Sequence, residues 1–100
     1  MNINQKAQNK WSNLIAEARL AYPKSPEASL LLYKTAIVEC RRIVGPNDEE
    51  LAHIFEEAAH VCFMLERDAE SQKYRSKADQ IRIFNAQQQR RFHIQQTALF

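Results

Sequence analysis

The chain has 100 residues, of which 45% are hydrophobic, with one Gly, three Pro and a net charge of +2. Its length is that of one domain, and the hydrophobic fraction is sufficient for a packed core, which excludes a wholly disordered chain. The net charge is too small to indicate general binding of nucleic acid or of a membrane surface. Strand-rich folds need many tight turns, so the shortage of Gly and Pro predicts long helices with few breaks.

Two helices are predicted in the first half of the chain. Apolar residues recur at three- and four-residue steps over residues 4–22, and Pro23 ends this helix because the residue before a proline avoids the helical region. Ser25 is a suitable N-cap for the second helix, and Pro26 suits its first position. This helix is expected to end at Gly45, which is followed by a further proline.

The second half of the chain begins with two more predicted helices. The third is expected to start at Asn47 or Asp48, where Asn47 and Glu50 resemble a capping box, and to run to Leu65. After a break of two residues, Asp68 is the expected N-cap of the fourth helix. A connection this short makes the two helices antiparallel neighbours.

These elements predict an all-α fold of two antiparallel helix hairpins followed by a C-terminal extension. The hairpins form a domain over residues 1–84, and the polar, basic residues 85–100 either continue the fourth helix or form a mobile tail. Residues 48–70 contain eight acidic residues and one Arg, whereas residues 73–91 contain six basic residues and one Asp. These oppositely charged regions could face each other within one chain or between two.

The two cysteines and the lack of long apolar runs predict a cytoplasmic protein. Cys40 and Cys62 lie in apolar helical contexts without the CxxC spacing, which favours buried, reduced thiols over a disulfide. Residues 1–10 are polar, and no apolar run approaches the length of a membrane span. We therefore expect a soluble chain with no membrane association.

The two hairpins resemble each other as an internal repeat. Shifting the sequence by 44 residues places Trp11 on Phe55, and shifting it by 42 residues places Ser29 on Ser71. The difference of two residues falls in the turn of the hairpin, where changes of length are tolerated. The pattern therefore predicts two hairpins of one design.

Small and large residues alternate at regular positions over residues 7–82. The turn at residues 45–48 precedes an Ala-rich helix, and small residues such as Ala36 and Ala78 accompany large ones such as Trp11. In these positions the chain resembles the tetratricopeptide repeat family, and most of all the longer repeat of kinesin light chains. Small residues at such positions let two helices cross closely.

Some positions depart from that family's pattern. Ser29 and Ser71 stand where Ala is usual, and Glu66 replaces a turn Gly. A weaker resemblance is to the three-helix MIT domain, whose last helix often ends in a pattern like that of residues 74–81. The fourth helix fits that domain less well.

The resemblance to tetratricopeptide repeats implies a concave groove that binds a peptide or a partner helix. By position, the implied groove residues are Asn9, Ser12, Ala16 and Arg19 of the first helix and His53, Glu56, His60 and Phe63 of the third. Family members that hold an acidic C-terminal tail use several Lys, Arg and Asn residues. Only Asn9 and Arg19 could serve here, so an acidic C-terminal tail is not the expected ligand. The role that the resemblance implies is that of a non-catalytic adaptor.

Candidate catalytic and metal-binding residues have simpler explanations. Glu50-x-x-His53 and Glu57-x-x-His60 have the spacing of metal ligands, but both pairs lie on one helix, whereas di-iron bundles use two helices. His60 is two residues from Cys62, and such residues point apart on a helix. With one Gly there is no phosphate-binding loop. We expect no enzymatic activity, no cofactor and no metal.

Two alternative functions remain open from the sequence. Arg82, Arg90 and Arg91, with the rings of Phe84 and Phe92 nearby, could contact nucleic acid, although a solvated helix face is the commoner explanation. Two hairpins are also fewer than the three repeats that such stacks usually need. A homo-oligomeric scaffold would supply the missing contacts from a second chain.

Overall fold

Four α-helices make up the described structure. The computed structural model describes the backbone of residues 3–99 and the side chains of residues 10–92. Within that part the helices are α1 (Ile3–Ala21), α2 (Pro26–Val44), α3 (Glu49–Met64) and α4 (Asp68–Leu99), and residues 3–99 contain no strand. The predicted all-α fold of four helices is confirmed.

Each helix packs against its neighbours in the sequence. α1 contacts α2, α2 contacts α3, and α3 contacts α4. The Cα positions extend over 57 × 38 × 17 Å, so the molecule is about one helix pair thick. α1 and α2 form the first hairpin, and α3 and α4 form the second.

One continuous core runs through both hairpins. Each helix contributes at least one fully buried alanine, namely Ala18, Ala36, Ala58 and Ala78. Larger buried side chains from all four helices join the same cluster, including Trp11, Leu30, Leu51 and Ile81. The alanines allow the helices to approach closely, and the large residues fill the space beside them.

The helix ends of α2 agree with the sequence, and α3 starts at the second of its two expected N-caps. Ser25 caps α2 by accepting a hydrogen bond from the Ala28 backbone N–H at 3.2 Å. Asp48 is the N-cap of α3 and accepts from the Glu50 N–H at 2.9 Å, so the expected capping box of Asn47 and Glu50 does not form. The acidic Asp48 side chain also complements the positive end of the helix dipole.

A buried serine joins the two helices of each hairpin. Ser29 Oγ donates to the Ala18 carbonyl at 2.7 Å, and Ser71 Oγ donates to the Ala59 carbonyl at 2.8 Å. The bonded residues are 11 positions apart in the first hairpin and 12 apart in the second. The spacing between the bonded residues thus differs by one residue between the hairpins, rather than by two. α1 corresponds to α3 at a shift of 41 residues rather than 44.

The turn between α3 and α4 closes with a left-handed residue. Glu66 has a φ of 60°, a conformation that favours Gly. The Arg67 N–H donates to the Cys62 carbonyl at 2.8 Å, and the Glu66 N–H donates to the Phe63 carbonyl at 3.0 Å. These two bonds form a Schellman motif, which satisfies carbonyls at the end of α3.

α4 is twice as long as α3. It has 32 residues, against 16 in α3, and continues as a helix through residues 85–99. None of the described helices is long and apolar enough to cross a membrane. Asp68 is the first residue of α4 rather than the residue that precedes it.

Both cysteines lie in the core as free thiols. Cys40 and Cys62 are buried and unpaired. Burial raises the pKa of the Cys40 thiol to about 12, and it also raises the pKa of Cys62. The thiolate form that reacts with electrophiles is therefore scarce at neutral pH.

Candidate functional site

A groove with a volume of about 540 Å³ lies where α1, α2 and α3 meet. We call it the α1–α3 groove. It is lined by Arg19 and Tyr22 at the end of α1, by Tyr33 of α2, and by His53, Glu56, Glu57, His60 and Val61 of α3. Tyr33 and Val61 are buried, whereas His53, Glu56 and His60 are exposed. The groove therefore combines an apolar base with a polar edge.

The polar edge follows from helical spacing on α3. His53, Glu56 and His60 are separated by three and four residues, which places them on one face of the helix. The residues that pack into the core, such as Ala58 and Cys62, lie on another face. One helix thus supplies both core contacts and groove side chains.

An ion pair links α1 to α3 at the groove. Arg19 donates from Nε and Nη2 to the two carboxylate oxygens of Glu57, at 2.8 and 2.9 Å. Tyr33 Oη donates to Glu57 Oε1 at 3.4 Å. Burial and the Glu57 charge raise the pKa of Tyr33, and the Glu57 hydrogen bond raises the pKa of Arg19. This two-point contact fixes α1 relative to α3.

A second set of ion pairs connects α4 to the edge of the groove. Arg82 Nη2 donates to Glu56 Oε1 at 2.7 Å, and Arg82 Nε donates to Glu49 Oε1 at 3.0 Å. Hydrogen bonding to Arg82 lowers the pKa of Glu56. Arg82 Nη2 also lies 3.5 Å from His53 Nδ1. His53 Nδ1 lies 3.8 Å from Glu56 Oε1 as well, so the same ring nitrogen faces both a donor and an acceptor.

Aromatic rings form one wall of the groove. The ring centroids of Tyr22 and His60 are 6.1 Å apart, with an angle of 35° between their planes. This separation is in the range of favourable aromatic pairs. The two tilted rings lie in the same groove as the Arg19–Glu57 ion pair.

The structure brings together four of the residues implied by the sequence resemblance. Arg19, His53, Glu56 and His60 all line the α1–α3 groove. Ser12 is exposed on α1 and is not among the lining residues, and the side chain of Asn9 lies outside the described residues.

Phe63 lies on a different surface. It borders a separate depression with Asp68, Ser71, Gln72 and Arg75. The reason is its position in the last turn of α3, beside the start of α4. Its ring is therefore exposed away from the α1–α3 groove.

Four lining residues were missed by the sequence reasoning, namely Tyr22, Tyr33, Glu57 and Val61. Glu57 directly follows Glu56, which was an expected groove position. Glu57 pairs with Arg19, which is 38 residues away, so helical spacing gives no signal for it. Tyr22 lies just past the end of α1, and Tyr33 belongs to α2. The groove implied by the resemblance included only positions on the first and third helices.

The candidate nucleic-acid contacts are separated by the structure. The guanidinium of Arg82 is engaged by Glu49 and Glu56, as described above. Arg90 and Arg91 are exposed on the later part of α4. The three arginines therefore do not form one free basic surface.

Within the described residues, no group of three or more His, Cys, Asp or Glu side chains could hold a metal ion. The side chains of the groove supply hydrogen-bonding and aromatic groups. No family model, no curated protein and no solved structure matches the chain.

Proposed function

We propose that the chain is a non-catalytic interaction module that binds a peptide or a helix of another protein in the α1–α3 groove. The observation that carries this proposal is the groove itself, with its apolar base and its edge of His53, Glu56 and His60. A volume of about 540 Å³ lies within the range of ligand pockets, which is about 300–1,000 Å³.

The ion pairs that border the groove support binding by a preformed site. Arg19–Glu57 joins α1 to α3, and Arg82–Glu56 joins α3 to α4. Ion-paired side chains are already partly ordered, which reduces the side-chain entropy lost when a ligand binds. Tyr22 and Arg19 are also of the residue types that dominate interface energies.

The hydrogen-bonding groups of the groove favour a ligand that carries acceptors. Glu56 and Glu57 are already paired with arginines, whereas Arg19 uses two of its five N–H donors on Glu57. His53 adds an exposed imidazole ring that can donate a hydrogen bond. Backbone carbonyls of a peptide suit these donors, and the Tyr22 and His60 rings suit an apolar or aromatic side chain.

The arrangement of the hairpins supports the tetratricopeptide-like interpretation of the sequence. In that interpretation α1 and α3 are the inner helices, and their exposed face receives the partner. One buried alanine or more in each helix and the equivalent serine contacts of the two hairpins agree with a repeated unit.

A displayed library of random peptides tests the proposal. Peptides selected on the wild-type protein are measured by calorimetry against His53→Ala/His60→Ala and against Phe63→Ala. All three side chains are exposed, so neither variant should unfold, as circular dichroism would verify. We expect the double variant to bind at least about tenfold more weakly, which is about 1.4 kcal/mol, because it loses two groove contacts.

Phe63→Ala is the matched control, because it removes an exposed ring from α3 outside the groove. It should bind the selected peptides as tightly as wild type does. Unchanged binding by the double variant, or an equal loss with Phe63→Ala, would refute the groove as the site.

A further inference from the structure

A small pocket lies where α2, α3 and α4 meet, and it shares no lining residue with the α1–α3 groove. We call it the α2–α4 pocket. Its volume of about 190 Å³ is below the roughly 300–1,000 Å³ of pockets for drug-sized ligands, so it suits a single chemical group. Its lining residues Leu51 and Ile81 are buried in the core, whereas Arg41 and Gln80 are exposed. The pocket therefore has a polar rim above an apolar floor.

An ion pair shows how α2 and α4 lie beside each other near this pocket. Lys34 Nζ of α2 is 3.3 Å from a carboxylate oxygen of Glu70 of α4. Arg41 follows Lys34 by seven residues, and Lys77 follows Glu70 by seven residues. A step of seven residues turns an α-helix by only about 20° from its starting face. Arg41 and Lys77 therefore face each other as Lys34 and Glu70 do, and both line the α2–α4 pocket.

The two facing side chains at the α2–α4 pocket carry the same charge. Neither Arg41 nor Lys77 is in any of the ion pairs among residues 10–92, whereas the adjacent Arg42 pairs with Glu39 at 2.9 Å. Lys77 Nζ lies 5.9 Å from the centroid of the Phe55 ring, and this cation–π contact keeps the ammonium group at the pocket. None of the described lining residues is acidic. Two cations at one pocket repel each other unless an anion lies between them.

We propose that the α2–α4 pocket binds a phosphoryl group, as inorganic phosphate or as a phosphomonoester. Two cations match the charge of a phosphomonoester, which is close to −2 above its second pKa of about 6. The Arg41 guanidinium donates two parallel hydrogen bonds to phosphate oxygens, and the Lys77 ammonium supplies a point charge. Asn47 and Gln80, which also line the pocket, carry amide donors. A carboxylate would offer these groups only two oxygens and one charge.

The surroundings of the pocket favour one phosphoryl group over a nucleic-acid strand. A strand presents a row of phosphates and is bound by a row of cations. The other two cations of α2, Lys34 and Arg42, are each paired with a glutamate. Arg41 is therefore the only cation of α2 without such a partner, and no row of unpaired cations follows this helix.

A titration of the full chain, labelled with ¹⁵N, with inorganic phosphate at about pH 7.5 tests the proposal. At constant ionic strength, the Arg41 Nε–H signal should shift and saturate with a dissociation constant of about 1 mM or tighter. Acetate in place of phosphate should leave it in place. Lys77→Met should weaken phosphate binding at least about tenfold, because one of the two cations is lost. Lys73→Met is the matched control, since it removes the same charge one turn earlier on α4, outside the pocket lining.

Lys77→Glu provides a second readout that is independent of the NMR signals. This change places a carboxylate opposite Arg41, as Glu70 lies opposite Lys34, so the variant should be more stable to urea than wild type in chloride. Phosphate should raise the urea midpoint of wild type, because it binds only the folded state, and should leave that of Lys77→Glu unchanged.

Three results would overturn the proposal. These are no saturating shift up to about 20 mM phosphate, an equal loss of binding in Lys77→Met and Lys73→Met, or an undiminished effect of phosphate on Lys77→Glu. Phosphoserine with both ends blocked distinguishes the sources of the group. Tighter binding than that of inorganic phosphate assigns a phosphorylated side chain, and weaker binding assigns free phosphate. None of these outcomes depends on peptide binding by the α1–α3 groove.

Discussion

Adjacent leucines on α2 provide a direct test of the core. Leu30 is 2% exposed, whereas Leu31 is 66% exposed. Truncating a buried leucine removes its transfer energy and leaves a cavity, at a cost of about 3–5 kcal/mol. A chain of this size has a free energy of unfolding of about 5–15 kcal/mol, so Leu30→Ala should remove about a fifth of it or more. Leu31→Ala should change it by less than about 0.5 kcal/mol.

Urea denaturation followed by circular dichroism measures both variants. The core cluster is continuous through the two hairpins, so we expect one transition and an unchanged dependence on urea. Leu51→Ala in α3, which is equally buried, should cost a similar amount. A Leu31→Ala cost equal to that of Leu30→Ala would refute the packing described here. Separate transitions of the two hairpins would refute the single core.

Three smaller predictions follow from individual contacts. Glu66→Gly should raise the free energy of unfolding in urea by up to about 1 kcal/mol, because it relieves a left-handed residue, whereas Glu66→Val should lower it. Cys40, with a pKa of about 12, should react with thiol reagents at pH 8 only as fast as the protein unfolds, and faster labelling would contradict its burial. Arg82→Met should raise the pKa of Glu56 toward its ordinary value in a carboxyl NMR titration, whereas Arg90→Met should not. Because Arg82 lowers that pKa in the folded state, the stabilisation is present at neutral pH and is lost as the pH falls through it.

The helix boundaries of α2 could be predicted because they depend on local residues. Ser25, Pro26 and Gly45 act on the backbone within a few positions of themselves, and each takes the expected place. The start of α3 was ambiguous for the same reason, since Asn47 and Asp48 are both good N-caps. Only the backbone conformation decides between two adjacent candidates.

The correspondence between hairpins could not be fixed from apolar spacing. A shift of 44 residues matched Trp11 to Phe55, whereas the serine contacts require a shift of 41. A slip of three residues turns a helix by only about 60° from its original face, so most of an apolar pattern still matches. The buried hydroxyls of Ser29 and Ser71 resolve this, because each has a single carbonyl acceptor.

The sequence indicated that the acidic and basic regions could face each other, as Arg82 does with Glu49 and Glu56, but it did not identify the individual partners. Glu57 and Arg19 are 38 residues apart, and Arg82 is 26 residues from Glu56. Neither pair has a spacing that a helix pattern would reveal. Such pairs depend on how the helices are placed side by side, which is set by the core.

The packing of each helix against its neighbours in the sequence has a consequence for how the chain folds. Since each helix contacts mainly its neighbours in the sequence, native contacts join residues that are near along the chain. Chains with such low contact order fold in microseconds to milliseconds, because little loop-closure entropy is lost before contacts form. The α1–α2 pair could therefore associate while α4 is still being synthesised on the ribosome.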